Sequence, residues 1–187
     1  MSSPLDQPLR GFLDELAART PTPGGGGAAA VAGALAAGLV AMAARFSASR
    51  LPGAGDLAEA ADELRRRVTD LVDLDARAYR AVLELRTREA LHGAAVVPLE
   101  IAEIGARVAA MAVQVAEAGN PNLRGDAMTG AVLAAASARS AASLVDINVR
   151  LGGLDPGLSR RAAQAAADAG DAADQVTMST EQAAQER

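Results

Sequence analysis

Apolar positions along most of the chain recur every three to four residues, which is the spacing typical of α-helices. The period-two alternation of β-branched residues that marks strands is missing, and turn signals lie far apart. The pattern predicts an all-α protein, an antiparallel bundle of about six helices forming a single domain over residues 1–187. The predicted helices cover residues 8–19, 28–49, 56–90, 98–118 and 123–151, and a sixth that starts at Asp155-Pro156 and frays from about Ser179.

The second predicted helix is apolar on every side. Residues 28–44 carry no charge, which predicts a buried alanine- and glycine-rich central helix. The uncharged run is shorter than the roughly 20 residues that span a bilayer, and no aromatic belt flanks it. The N-terminus also lacks a secretory pattern. We therefore expect a core helix, no membrane association and a cytoplasmic location.

The segment TPTPGGGG, residues 20–27, precedes this helix and is predicted to be a loop. Backbone N–H groups ahead of a helix can bind an anion. Equally, glycines can serve only to permit a sharp turn and close packing. The segment is neither a Walker A sequence nor a GxGxxG motif after a strand, so a nucleotide-binding fold is not expected.

Two carboxylates project onto apolar helix faces. Asp75 shares the apolar stripe of the third helix, with Tyr79 and Arg86 close beside it, which indicates either an internal tie to one of them or a cleft. Asp126 lies on the apolar face of the fifth helix, and Asn148 lies at the edge of that face. An acid in a first helical turn also has the ordinary role of complementing the helix dipole.

The composition removes several classes of function. The net charge is −5 and there are three aromatic residues, Phe12, Phe46 and Tyr79, so we do not expect nucleic-acid binding. All 18 basic residues are arginine and there is no cysteine, which excludes Schiff-base and thiolate chemistry. The single histidine, His92, cannot form a histidine cluster for a metal. A core this poor in large side chains favours burial of further surface in an oligomer.

Five segments, in order over about residues 8–155, resemble the formiminotetrahydrofolate cyclodeaminase and methenyltetrahydrofolate cyclohydrolase family. They are TPTPGGGGAAAVAGALAAGLVAMAARFS at residues 20–47, LVDLDARAY at 71–79, VVPLEIAE at 96–103, GNPNLRGD at 119–126 and DINVRL at 146–151. The resemblance implies a homodimer of all-α domains that acts on a small molecule, a one-carbon unit carried by tetrahydrofolate, with neither a metal nor a redox cofactor. Cyclodeaminases release ammonia and close the methenyl bridge, whereas cyclohydrolases add water to the methenyl carbon.

The resemblance also implies roles for individual residues. The family's acid–base aspartate corresponds to Asp126, and one cleft carboxylate can serve either reaction. The residues implied to line the cleft or orient the substrate are Pro23, Gly24, Gly25, Gly26, Gly27, Asp75, Tyr79, Asn122 and Asn148.

The sequence departs from the family at three places. Gly27 stands where serine or alanine is usual, and Gly125 stands where serine is usual. Residues 47–55 contain one cation, Arg50, where many members have a lysine- and tyrosine-rich run. These departures motivate two further hypotheses: the same scaffold acting on a non-folate imine or amine in a biosynthetic pathway, or a non-catalytic helical dimer.

Overall fold

The computed structural model describes residue 5 and residues 7–185, with side chains to residue 183. This part of the chain forms six α-helices and one short 3-10 helix, with no strand, which confirms the all-α prediction. The α-helices are α1 (Leu9–Ala17), α2 (Gly25–Arg45), α3 (Ala54–Leu85), α4 (Arg88–Ala118), α5 (Arg124–Gly152) and α6 (Pro156–Gln185), and the 3-10 helix (Pro121–Leu123) precedes α5.

Three of the predicted helix boundaries are wrong. The last three glycines of the TPTPGGGG segment form the first turn of α2 instead of a loop. Helix α4 starts ten residues before Pro98, because Arg86 ends α3 in a left-handed conformation (φ 52°) and Thr87 caps α4 by accepting the Ala90 N–H at 3.2 Å. The last helix extends to Gln185, beyond Ser179, where its end was expected. At the starts of α2 and α4, a neighbouring helix or a cap supplies the stabilisation that the local propensity lacks.

The five long helices pack as an antiparallel bundle in which α4 contacts the other four. Helices α2 and α5 lie side by side, and small residues let them come close. The Ser137 hydroxyl donates to the Ala29 carbonyl at 2.7 Å, and a methyl group on Gly33 would stand 3.0 Å from the Ser137 oxygen. The core is therefore built of alanine and valine with close backbone approach, as its composition predicted.

Two helical segments, Gly25–Arg45 and Pro121–Gly152, are long and apolar enough to cross a bilayer by length and composition. The uncharged run is shorter than a bilayer span, but the helix that contains it has 21 residues. The length argument against a membrane span is therefore wrong. However, 56% of the most apolar window of α2 and 44% of that of the second segment are buried inside the bundle. Both serve as core helices, each with one side facing outward.

Candidate active site at the first turn of α2

Asp75 projects from α3 onto the first turn of α2. Its carboxylate packs against Gly26 so closely that a methyl group there would overlap it, and it accepts a hydrogen bond from the Gly27 N–H. The first N–H groups of a helix lack partners inside the helix and carry partial positive charge. Gly24, the N-cap residue, has no side chain to satisfy them. Asp75 therefore caps α2 from the neighbouring helix.

This contact differs from the internal ties that the sequence suggested. Arg86 lies exposed at the end of α3, three turns beyond Asp75. Tyr79 is 45% exposed. Because α3 runs antiparallel to α2, the position of Asp75 along α3 falls beside Gly26, and the glycine backbone becomes its partner.

The environment of Asp75 alters its acidity. Burial raises the pKa of the Asp75 carboxyl above its ordinary value, and the hydrogen bond from Gly27 partly opposes this effect. A carboxyl with a raised pKa exchanges its proton closer to neutral pH, which suits general acid–base chemistry. Asp75 is thus a candidate proton-transfer group at this end of the bundle.

Other residues converge on the same turn. Pro23 is buried, and its peptide bond with Thr22 is cis. Arg80 donates from Nη1 to the Thr22 hydroxyl at 3.0 Å, which holds the segment before α2 against α3. The sequence analysis did not single out Arg80. Arg80 lies four residues after Ala76, which is buried, so helical spacing places both on the same side of α3.

Asn148 lies near this end of the bundle, but its amide has a structural partner. Pro98, inside α4, has no N–H to donate to the Ala94 carbonyl four residues earlier. The Asn148 side-chain amide donates to that carbonyl at 2.9 Å and to the Leu144 carbonyl at 3.0 Å. Asn148 therefore repairs the helix that the proline interrupts, and it ties α5 to α4.

Replacing Asn148 by alanine should destabilise the protein by about 1–3 kcal/mol, the cost of leaving a buried acceptor unpaired. The effect should shrink in a Pro98→Ala background, since alanine at that position restores the helical N–H. Urea unfolding of the two single variants and the double variant measures this coupling. Equal costs of Asn148→Ala in both backgrounds would show that the amide does not act through the proline.

Asp126 and Asn122 lie at the opposite end of α2. Asp126 is half-buried in the first turn of α5, and among the described residues its side chain makes no hydrogen bond or ion pair. Asn122 is exposed in the 3-10 helix. The Ser47 hydroxyl, just after α2, donates to the Ala43 carbonyl at 2.7 Å and accepts the Asn120 N–H at 2.9 Å. This contact anchors the GNPN segment to the C-terminal end of α2.

The predicted site residues therefore form two groups within one chain. Gly25 lies beside Leu144, and Leu144 is about 27 Å along α5 from Asp126 at 1.5 Å per residue. The glycine turn, Asp75, Tyr79 and Asn148 share one end of the bundle, whereas Asp126 and Asn122 share the other. The described part of one chain therefore has no single cleft in which the glycine turn faces Asp126.

Among the described residues, no three histidine, cysteine, aspartate or glutamate side chains cluster to hold a metal ion. The two groups of residues offer carboxylates, backbone N–H groups, a phenol and a guanidinium for chemistry.

The sequence profile described as formiminotransferase-cyclodeaminase matches residues 8–167, which cover the glycine turn, Asp75 and Asp126. The chain belongs to this family. A relative named methenyltetrahydrofolate cyclohydrolase, from Methylorubrum extorquens, is 35% identical over 172 residues, covering 80% of this chain and 82% of the relative. The mouse (Mus musculus) formimidoyltransferase-cyclodeaminase is 32% identical over 143 residues, covering 62% of this chain and 26% of that longer enzyme.

A solved structure supports the cyclodeaminase-like fold. The crystal structure of formiminotetrahydrofolate cyclodeaminase from Thermotoga maritima matches with a TM-score of 0.88 at 27% identity, covering 95% of this chain and 98% of the other. The resemblance seen in the sequence is thereby confirmed for the family and for the helical architecture.

Proposed function

We propose that this member of the formiminotransferase-cyclodeaminase family is an enzyme that interconverts formimino-, methenyl- or formyl-tetrahydrofolate. The observation that carries the proposal is the half-buried carboxyl of Asp75 at the glycine-lined first turn of α2. The names of the relatives, a cyclohydrolase and two cyclodeaminases, support the substrate class.

The chemistry needs a carboxyl that can both take and give a proton. Hydration of the methenyl carbon requires a base to remove a proton from the attacking water. Ring closure with release of ammonia requires an acid to protonate the leaving nitrogen. A carboxyl whose pKa is raised by burial can perform either step in the appropriate protonation state. Its anionic form also stabilises the positive charge of the methenyl group.

Substrate binding would use the groups around the same turn. Tyr79 presents a half-exposed aromatic ring suited to a pterin face. Arg80, beside Thr22, supplies a guanidinium for the carboxylates of the folate tail. Gly25 is exposed, so a ligand can reach the backbone there. Asn148 supports this end of the bundle through α4, and we assign it a positioning role.

The role of Asp126 is tested by activity. Purified protein should accelerate the loss of methenyltetrahydrofolate absorbance, and Asp126→Asn should lower this rate at least tenfold if Asp126 takes part in proton transfer. Asp174→Asn, an exposed carboxylate change on α6, is the matched control and should leave the rate unchanged.

Two outcomes would count against the proposal. Hydrolysis and formation of the methenyl compound that both remain at the uncatalysed rate would favour the non-folate imine or amine hypothesis. Its motive is the segment after α2, in which Ala48, Ser49 and Arg50 are exposed and only one cation is present. A protein inactive on every imine tested would favour the non-catalytic dimer.

A further inference from the structure

We propose that Ser47 is a positioning residue: from the C-terminal end of α2, its buried hydroxyl fixes the turn that presents Asn122 and Asp126. The placement of this turn is independent of the reaction. Its consequence for catalysis rests on the proposed function, in which Asp126 takes part in proton transfer.

Ser47 lies just after α2 and is fully buried, with 0% of its surface exposed. Its hydroxyl donates to the Ala43 carbonyl at 2.7 Å, so the hydroxyl proton is committed to α2. The hydroxyl oxygen can still accept, and it receives the Asn120 N–H at 2.9 Å from the turn between α4 and α5. Because the donor and an acceptor position are both used, the hydroxyl keeps one orientation, and the bond to Asn120 has a defined direction.

The chain passes Ser47 so closely that residue 119 has no room for a side chain. A methyl group on Gly119 would stand 2.6 Å from the Ser47 oxygen and would overlap the Val115 carbonyl oxygen. Both contacts are well inside van der Waals separation. Glycine at this position therefore lets the backbone bring the Asn120 N–H to the buried hydroxyl.

Asn120 extends this anchor to the residues that follow it. Its side-chain oxygen accepts the Asn122 N–H at 3.1 Å, and its carbonyl accepts the Leu123 N–H at 2.9 Å. These bonds shape the 3-10 helix before α5. Arg124 then donates from Nε to the Ala116 carbonyl at 3.1 Å, which ties the first turn of α5 to the end of α4. A series of hydrogen bonds thus leads from α2 to the first turn of α5.

The two polar side chains that this turn presents are left unbonded. Within the part of the chain that the structure describes, neither the Asn122 amide group nor the Asp126 carboxylate has a hydrogen-bond or ion-pair partner. Supporting groups that are bonded, beside presented groups that are not, form the arrangement expected of a preorganised site. The hydroxyl of Ser47 is the buried member of that support.

The placement is tested by amide hydrogen exchange, without reference to activity. In Ser47→Ala, the amides of residues 119–126 should exchange about tenfold faster or more, because the Asn120 N–H loses its acceptor. The matched control is Ser137→Ala. It removes the other buried hydroxyl of the described residues, which donates to the Ala29 carbonyl at 2.7 Å. This control should leave exchange of residues 119–126 unchanged.

A second pair of variants tests the same support without altering a fully buried position. Asn120→Ala removes the acceptor of the Asn122 N–H, whereas Asn120→Asp keeps a side-chain oxygen there, and both residue types serve well at such capping positions. The alanine variant should speed exchange of residues 119–126, and the aspartate variant should retain most of the protection. Unchanged exchange in both Ser47→Ala and Asn120→Ala, or an equal acceleration in Ser137→Ala, would overturn the placement.

The catalytic consequence is tested by the turnover of methenyltetrahydrofolate. Ser47→Ala should lower kcat by about 10–10²-fold, the cost of misplacing a reacting group by up to about 1 Å, and Ser137→Ala should leave kcat unchanged. A residue that acts through Asp126 has nothing to position once that carboxylate is gone. Ser47→Ala should therefore have no further effect on kcat in an Asp126→Asn background.

The outcomes separate this inference from the proposed function. If the unaltered protein has no turnover, the proposed function fails, and the exchange measurements still decide whether Ser47 places the turn. Turnover that is lost in Asp126→Asn but kept in Ser47→Ala overturns the positioning role, while the proposed function stands. An equal loss from Ser47→Ala with and without the Asp126 carboxylate, or full activity of Asp126→Asn, overturns it as well.

Discussion

Replacing Asp75 by asparagine should lower kcat by about 10²–10⁴-fold, the usual contribution of a general acid–base group, while the protein remains folded. Asparagine has nearly the same shape and keeps an oxygen that can accept the Gly27 N–H, but it cannot exchange a proton. The measurement is methenyltetrahydrofolate turnover at saturating substrate, with Asp174→Asn as the control for a loss of negative charge elsewhere.

The thermal stability of the Asp75→Asn variant distinguishes a catalytic role of Asp75 from a merely structural one. The pKa of Asp75 is raised in the folded protein, so folding favours the protonated form. The stabilisation is complete below the ordinary pKa of an aspartate and is lost as the pH rises through the raised value. The asparagine side chain stays neutral at every pH, so the Asp75→Asn variant should have a Tm at pH 7 equal to or above that of the unaltered protein. A large fall in Tm together with the loss of activity would identify Asp75 as a structural cap alone.

Water activation requires the ionised form of Asp75. The enzymatic rate of hydration should therefore decline on acidification, at a pH above that expected for an ordinary aspartate. The pH–rate profile of the Asp75→Asn variant should lack this decline.

Gly26→Ala should have the second large effect. The new methyl group would overlap the Asp75 carboxylate, and overpacking of this kind costs about 1–3 kcal/mol. For a chain of this size that corresponds to a Tm lower by about 2–12 °C. Displacement of the carboxylate should also lower the enzymatic rate, on the order of 10²-fold for a shift of about 1 Å.

The matched control for this change is Gly38→Ala on the same helix. A methyl group at Gly38 would meet the Arg65 side chain at 3.6 Å, an ordinary contact. Alanine also favours the helix over glycine, so this variant should be as stable as the unaltered protein or more so. If Gly26→Ala and Gly38→Ala behave alike, the close contact between Gly26 and Asp75 does not constrain the site.

The sequence by itself determined the helices and where most of them end. The apolar spacing and the turn residues specify local structure. Gly153, for example, adopts the left-handed conformation (φ 54°) that terminates α5. The uncharged run of α2 likewise indicated burial, because a helix without polar positions must pack on several sides. The family could also be identified from ordered motifs, since these keep both their residues and their spacing.

Tertiary structure decided the partners of the polar groups. Pro98 predicted a helix start, yet the helix passes through it, because Asn148 from another helix replaces the missing donor. Asp75 was placed on an apolar face correctly, but only the antiparallel crossing of α2 and α3 makes Gly26 and Gly27 its neighbours. In the same way, the distance between Asp126 and the glycine turn depends on helix direction. Helical periodicity reports which side of a helix a residue occupies, and it carries no information about which end of a neighbouring helix that residue meets.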